Sequence, residues 1–486
     1  MASIHEIREE RLKKLSMLRE RGVDPFPVSV PRDIALSELR ARFVELEKNQ
    51  RPISVAGRIM AIRGQGAIQF VVLFDGTDEF QVVLKRDVLG NEKMTLFVDV
   101  ADVGDIVSAT GTAFTTRRGE PSVLASSWTM GAKSLLPLPE KWHGLQDGEE
   151  KLRKRYLDLM QDKDLRELFR KKAKFWQSIR TFMVDAGFLE VETPVIERTT
   201  GGADARPFAT HHHALDIDVY LRISCGELWQ KRLMVAGFPK VFEIGRIFRN
   251  EGISPEHAQD YTQLEFYWAY ATPEECMAFV EQMYKKVAMD VFGTMTFDIG
   301  KFEVNLGKTW ERYEYTETIK RMTGIDISHA QTDEIEAALR RLGVEYDKKG
   351  WNRVRAIDSL WKYCRRQLSG PGFLVGIPKE MSPLAKPDPK DHSKVLQFQP
   401  IIAGSEVGKG YSELNDPVDQ AERFATQQKM RDAGDEEAQM ADPEFVEALE
   451  YGMPPTCGFG VSERLFAFLA NKPVREAQLF PLLRPR

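Results

Sequence analysis

The chain has 486 residues, 42% of them hydrophobic and 29% charged, with a formal net charge of -5. That length exceeds one ordinary core and predicts about two to four domains, and no apolar run approaches the ~20 residues that a membrane-spanning helix needs. A weakly acidic total neither announces nor excludes a nucleic-acid partner, because a local basic face can coexist with it.

The N-terminal stretch MASIHEIREERLKKL is charged and helical rather than a signal peptide, with Ile4, Ile7, Leu12, Leu15 and Leu18 at helical spacing. Residues 1–50 are therefore expected as a helical extension. From ISVAGRIMAIR onward the texture changes to short β-type runs: IQFVVLFDG, EFQVVLKRD and DIVSATGTAFTTRRGEPSVLASSW. Five such strands predict a small closed barrel over 51–140, and the OB-fold is the commonest nucleic-acid-binding barrel of that size. LLPLPEKWHGLQDGEEKLRKRYLDL is Pro-punctuated and then charged, which predicts a linker over 141–165. Residues 166–486 mix long helices with strands and lack βαβ alternation. This predicts an antiparallel α+β catalytic domain, with a helical insertion around 272–380. The four cysteines, Cys225, Cys276, Cys364 and Cys457, are scattered and suggest neither a disulfide framework nor a CxxC metal site. A cytoplasmic protein is the simple expectation.

Three segments combine Gly, Arg and acids in ways that plain structure does not need. GFLEVETPVIERTTGGADARPF carries a Gly pair that lets backbone approach a ligand. KVFEIGRIFRNEGIS reads as a strand running into a hairpin mouth that holds a guanidinium and a carboxylate. GSEVGKGYSELND is followed by TCGFGVSERLFAFL, where a Gly-rich turn is expected to deliver Glu463 and Arg464 to an apolar helix. Singly, each has an ordinary explanation as a loop, a solvated ion pair or a helix cap. Their joint presence and order point to one site.

In these strings, with GGADARPFATHHHALDIDVYLRIS and YSELNDPVDQAERF, the chain resembles the class II aminoacyl-tRNA synthetases, and within them the bacterial-type lysyl-tRNA synthetases. The resemblance runs from the barrel to LFPLLRP at the C-terminus. It implies an antiparallel six-stranded catalytic sheet with helices, an OB-fold that reads the anticodon, and a homodimer formed through the first of the three segments. It implies ATP and Mg²⁺, with L-lysine and tRNA(Lys) as the other substrates. Arg249 would hold the α-phosphate, a role that suits a fixed bidentate guanidinium. Glu251 would meet the adenine amine, Tyr261 its ring face, His257 the terminal phosphates, Arg464 the γ-phosphate, and Glu406 the metal. For the amino acid, Glu265 and Glu413 would take the distal ammonium, since an unpaired buried charge is costly. Tyr267 would add a hydroxyl, Tyr411 would cover the stem, Glu227 would hold the α-ammonium, and Gly202 the substrate backbone. Phe70 and Gln81 would stack on and hydrogen-bond an anticodon base.

The chain also departs from the family pattern. Gln399 stands where a second metal-binding Glu is usual, and Lys409 where an Asn is usual. GFGVSER is one residue short, SCGELWQ is one residue long, Ser127 or Trp128 falls where an anticodon-reading Glu is expected, and Glu256 replaces a loop Arg. Losing a carboxylate while gaining an ammonium suggests that Lys409 substitutes for part of a divalent cation. The alternative is that Lys409 points to solvent and Gln399 still coordinates. Other functional readings are an aspartyl- or asparaginyl-type synthetase, favoured by Lys409 and opposed by Glu265 and Glu413, and a ligase paralogue acting on a protein, opposed by the barrel. An RNA-binding protein with an inactive synthetase domain is opposed by Arg249, Glu251 and Arg464.

Overall fold

The structure, a computed structural model, describes residues 3–139, 147–203, 205–250, 252, 258–346, 352–432 and 438–485. The chain forms two compact units, one up to Asp162 and one from Lys163 onward.

In the first unit, helix α1 (Ile4–Glu20) is opened by a capping box in which Ser3 and Glu6 satisfy each other's backbone N–H groups. Strands β1 (Ile53–Gln65), β2 (Ile68–Phe74), β3 (Glu79–Lys85), β4 (Ile106–Thr115) and β5 (Pro121–Ala132) close a barrel in the order β1-β2-β3-β5-β4. Their period-2 patterns place Val55, Ile59, Leu73, Val82 and Val123 inside. Helix α2 (Asn91–Val100) adds Met94 and Phe97 to that core. Five strands and a closed barrel are what the short β-type runs predict.

The second unit is built on one nine-stranded sheet. Helix α3 (Lys163–Asp185) leads into β6 (Leu189–Glu190), then helix α4 (Glu227–Val235) and strands β7 (Lys240–Phe248) and β8 (Asp260–Ala269). Helix α5 (Pro273–Val287), β9 (Glu311–Glu314), helix α6 (Arg353–Arg365), β10 (Gly372–Val375), β11 (Gln397–Ile402), β12 (Ser405–Glu406) and β13 (Lys409–Ser412) follow. Strand β14 (Thr456–Ser462) and helix α7 (Arg464–Leu469) complete the sheet and its cover. The order is β9-β10-β11-β13-β14-β8-β7-β6, with β12 paired to β11. From β10 to β7 the six central strands are all antiparallel, and the two outer strands, β9 and β6, pair in parallel. The expected six-stranded antiparallel sheet is thus the centre of a wider one. The segment 272–380 is not simply helical: besides α5, α6 and two shorter helices it contributes β9 and β10 to the main sheet.

Alternation decides which face does what. Phe242, Leu264, Phe266, Phe398, Phe459 and Val461 point to one side and pack with α3 and α5 residues such as Phe175, Ile179 and Val280. Gln263, Glu265, Tyr267, Gly458, Gly460, Lys409 and Tyr411 occupy the alternate positions and face the other way. One face of the sheet is core. The other is the floor of a site.

Candidate active site

The TCGFGVSER stretch, expected as a Gly-rich turn, is instead the central strand β14 as far as Ser462. Its glycines serve close approach rather than turning. In register, Tyr411, Gly458 and Tyr267 form one row across β13, β14 and β8, and Lys409, Gly460 and Glu265 form the next. A Cβ on Gly458 would lie 2.2 Å from Glu413 Oε1 and 2.6 Å from the Tyr267 ring, so no other residue fits beneath them. The missing side chains make a trough down the middle of the sheet.

At one end of the trough is a cleft of about 310 Å³ lined by Arg249, Tyr261, Gln399, Glu406, Lys409 and Arg464. These come from the β7–β8 hairpin, β11, β12, β13 and α7, so residues far apart in the chain converge. The Arg249 backbone N–H donates to Gln259 O at 2.8 Å, closing the hairpin mouth, and its side-chain Nε donates to Ile223 O at 3.2 Å. The Arg249 guanidinium also sits 5.8 Å from the Tyr261 ring centroid. Arg464 Nη2 reaches Ser405 Oγ at 3.4 Å. Its neighbour Glu463 also borders the cleft but is buried and ion-paired to Lys172 at 2.9 Å, so of the ER pair Arg464 is the one with a charge to offer a ligand. Glu251 and His257, and also Glu256, lie outside the described residues. Larger cavities of about 810 and 600 Å³ occur elsewhere on this unit, but they do not gather this set.

Glu406 Oε1 accepts from Trp361 Nε1 at 2.5 Å and lies 3.8 Å from Arg365 Nε, so that oxygen is already engaged. Among the described residues there is no group of three or more His, Cys, Asp or Glu gathered as for a metal. One further carboxylate oxygen beside Gln399 suits an ion held mainly by phosphate oxygens, as Mg²⁺ commonly is. Lys409 is exposed in the same cleft, 5.8 Å from the Tyr411 ring.

At the other end the trough is acidic and buried. Gly226 takes a left-handed conformation (φ 72°) and turns the chain so that α4 starts at Glu227. A Cβ on Gly226 would run into the Thr193 side chain. Helix α4 then presents Glu227 and Lys231, one turn apart, to the same face. Lys231 Nζ lies 2.6 Å from Glu227 Oε1 and 2.5 Å from Glu413 Oε2, and 5.9 and 5.5 Å from the rings of Tyr267 and Tyr411. Tyr411 donates its hydroxyl to Glu227 Oε1 at 2.5 Å, and Tyr267 donates to Glu265 Oε2 at 3.1 Å. Glu265 Oε1 accepts from Cys225 N at 2.8 Å and Gln263 Nε2 at 2.6 Å. Gly202 is beside Ser224 and Glu227. Behind this wall, Arg222 pairs with Glu243 at 2.6 Å, and Thr193 Oγ1 donates to Glu243 Oε2 at 2.6 Å.

Glu227, Glu265, Glu413 and Lys231 are 4%, 4%, 1% and 1% exposed, so their charges have little access to water. Burial pushes the carboxyls of Glu265 and Glu413 above the usual carboxylate range; the nearby Glu227 charge adds to this in both, and Lys231 only partly offsets it at Glu413. Burial alone would lower the Lys231 ammonium, but the Glu227 and Glu413 carboxylates outweigh that and hold it above its ordinary value. Among the described residues Glu413 Oε1 finds no hydrogen-bond partner, although it is buried. A buried carboxylate oxygen left open in this way needs an N–H donor.

Sequence reasoning missed Lys231, although the Glu-x₃-Lys spacing of Glu227 and Lys231 was readable. It also missed Gln263, Trp361 and Arg365, whose roles depend on strand register and on distant contacts. In the barrel, Phe70 and Gln81 share the outer face of β2 and β3, and Gln81 Nε2 donates to Ser122 Oγ at 2.8 Å. Trp128 donates to Lys93 O and packs edge-on against Phe97, whereas Ser127 pairs with Thr110.

Two known families match most of the chain. Residues 147–484 match the model of the class II tRNA synthetases (D, K and N), and residues 53–130 match that of the OB-fold nucleic acid binding domain. A lysine–tRNA ligase of Roseiflexus castenholzii is 42% identical over 99% of both chains. Lysine–tRNA ligases of Thermotoga maritima and Bacillus cereus are 40% and 41% identical, over 99% and 98% of this chain and 97% and 96% of their own.

Proposed function

The chain belongs to the class II tRNA synthetases, among the lysine–tRNA ligases, and we infer from its site how it divides the work of joining lysine to tRNA(Lys) with ATP. The observation that carries the division is the trough: a cleft of about 310 Å³ with two arginines at one end and three buried carboxylates at the other.

In the first step a lysine carboxylate oxygen attacks the α-phosphorus of ATP, forming lysyl-adenylate and expelling pyrophosphate. The attacking group is already an anion, so the step needs positioning and positive charge more than a general base. Arg249 holds the α-phosphoryl oxygens, where charge gathers, and Arg464 holds the γ-phosphate. Tyr261 offers a ring face to adenine, with Glu251 on its amine and His257 on the terminal phosphates. Glu406 and Gln399 would hold Mg²⁺, which supplies charge to the phosphates, and Lys409 adds a fixed cation in the same cleft. Glu265 and Glu413 take the substrate's distal ammonium with the Tyr267 hydroxyl, Tyr411 covers its stem, Glu227 takes the α-ammonium, and Gly202 lets the substrate backbone pass close. In the second step a hydroxyl of the terminal ribose of tRNA attacks the adenylate carbonyl and AMP leaves.

Residues 51–140 serve as the anticodon-binding domain, with Phe70 stacking on a base and Gln81 hydrogen-bonding it. Residues 1–50 form a helical extension, 141–165 a linker and 166–486 the catalytic domain. The enzyme works as a homodimer in the cytoplasm. Val184, Leu189, Val195 and Ile196, exposed apolar residues in and just before the first segment, support an interface there. No helix among the described residues is long and apolar enough to cross a membrane.

An aspartate- or asparagine-specific site would want a cation facing the substrate side chain. Lys231 is instead fully engaged with two carboxylates, and Lys409 lies in the cleft with Gln399 and Glu406. Pyrophosphate exchange run with each of the twenty amino acids tests the assignment. Lysine should support exchange far above all others, and a preference for aspartate or asparagine would overturn it.

A further inference from the structure

The carboxylates assigned to the substrate are not free of cations: Lys231 already touches two of them. It lies between the two tyrosine rings that flank the trough, and both its charge and its alkyl stem are buried. It stands on the same helix as Glu227, one turn on, so its position is tied to the helix and not to a movable loop. Withdrawing such an ammonium would strand two buried carboxylates, which makes departure on substrate entry costly.

We propose that Lys231 is a positioning residue for the amino-acid substrate, fixing the Glu227 and Glu413 carboxylates and leaving the ionised pocket with two uncompensated negative charges. Three carboxylates against one ammonium leave two, the number of ammonium groups on lysine. The substrate carboxylate goes to the reaction with ATP at the Arg249 end and does not enter this balance. Lys231 also decides which oxygens remain. It occupies Glu227 Oε1 and Glu413 Oε2, while among the described residues Glu413 Oε1 has no hydrogen bond and Glu265 Oε2 carries only the Tyr267 hydroxyl. The distal ammonium is thereby directed to the Glu265 and Glu413 oxygens over Gly458, and the depth of the pocket is set by Lys231 itself. Substrates with a single ammonium leave one buried charge uncompensated, so the same residue contributes to their rejection.

The inference rests on the assignment of Glu227, Glu265 and Glu413 to lysine, and the test separates the two. Lys231→Met keeps length and apolar stem but removes the charge. Lysine KM in pyrophosphate exchange should rise by roughly tenfold or more, the scale for a buried pair broken at one partner, while ATP KM stays within about twofold. In the variant Lys231→Met/Glu413→Gln, lysine KM should rise by clearly less than the product of the two single effects, because one of the two carboxylates that Lys231 positions is already gone. An unchanged lysine KM, a parallel rise in ATP KM, or effects that multiply in the double variant would each overturn the proposal. If Lys231→Met does not fold, Lys231→Arg carries the test. Its charge is kept but its shape is wrong for the site, so lysine KM should still rise with ATP KM fixed, and an unchanged lysine KM overturns the proposal there too. A wild-type enzyme that activates another amino acid would defeat the lysine assignment instead, which is a different result.

Discussion

Each unit of this protein buries a lysine beside two carboxylates, and the two clusters have opposite balances. In the first unit, Lys133 Nζ lies 2.6 Å from Asp102 and 2.8 Å from Asp105, and also donates to Val100 O at 2.7 Å. Lys14 and Arg11 add cations to Asp102, and Asp105 accepts the backbone N–H groups of Asp102 and Ser134. Three cations meet two anions, and the paired Asp102 carboxyl is held below its ordinary value: Lys133 and Lys14 overcome the opposing effect of its own burial. In the second unit one ammonium meets three carboxylates, and Glu265 and Glu413 are pushed up. A closed account is a structural clamp. An open one waits for a ligand.

Removing the ammonium from each cluster should therefore give different symptoms. Lys133→Met strands Asp105 in a fully buried position and should lower the stability of the first unit by about 3–5 kcal/mol. Amino-acid activation should persist wherever the second unit remains folded. Thermal unfolding followed alongside pyrophosphate exchange reads both, and a large loss of exchange without a stability change would erase the contrast.

Glu265→Gln should do the reverse, raising lysine KM by the equivalent of about 2–5 kcal/mol with ATP KM unmoved. Because burial raises the carboxyl in the fold, its contribution to stability is full below the unfolded value and is lost as pH rises through the folded one. At neutral pH the neutral amide should leave the ligand-free protein as stable as before or more so. A destabilised Glu265→Gln with normal lysine KM would make this carboxylate another clamp.

How much of this was readable in advance follows from the range of each contact. Arg249 and Arg464 carry local strings, and the structure brings both to one cleft with Tyr261 and Glu406. The barrel was legible because five β-type runs separated by Gly and Asp fall inside about ninety residues. The strand β14 was not, since a run of glycines signals turning when seen alone. Their purpose here, room for Glu413 and Tyr267, depends on residues that the chain brings in from two other strands. Lys231 has the same difficulty: its Glu227 partner is four residues away, but Glu413 is reached only through the fold. Lys409 drew notice by departing from a pattern, yet the ammonium buried among the pocket's carboxylates is Lys231.

The smallest effect expected from substitution separates the units by activity rather than stability. Phe70→Ala should weaken aminoacylation of tRNA by about 1–3 kcal/mol through lost base stacking, with pyrophosphate exchange nearly intact. A joint fall of both activities would make Phe70 a folding residue of the barrel.

The central claim is that the second cluster is under-compensated until lysine arrives, and protons report it most directly. Raised carboxyls retain part of their protons near neutral pH, and a bound ammonium favours their ionised form. Lysine binding, measured by titration calorimetry in buffers of differing ionisation enthalpy, should release protons, up to about one from each raised carboxyl, with affinity rising as pH rises. Binding with no proton exchange, or with proton uptake, would contradict the account.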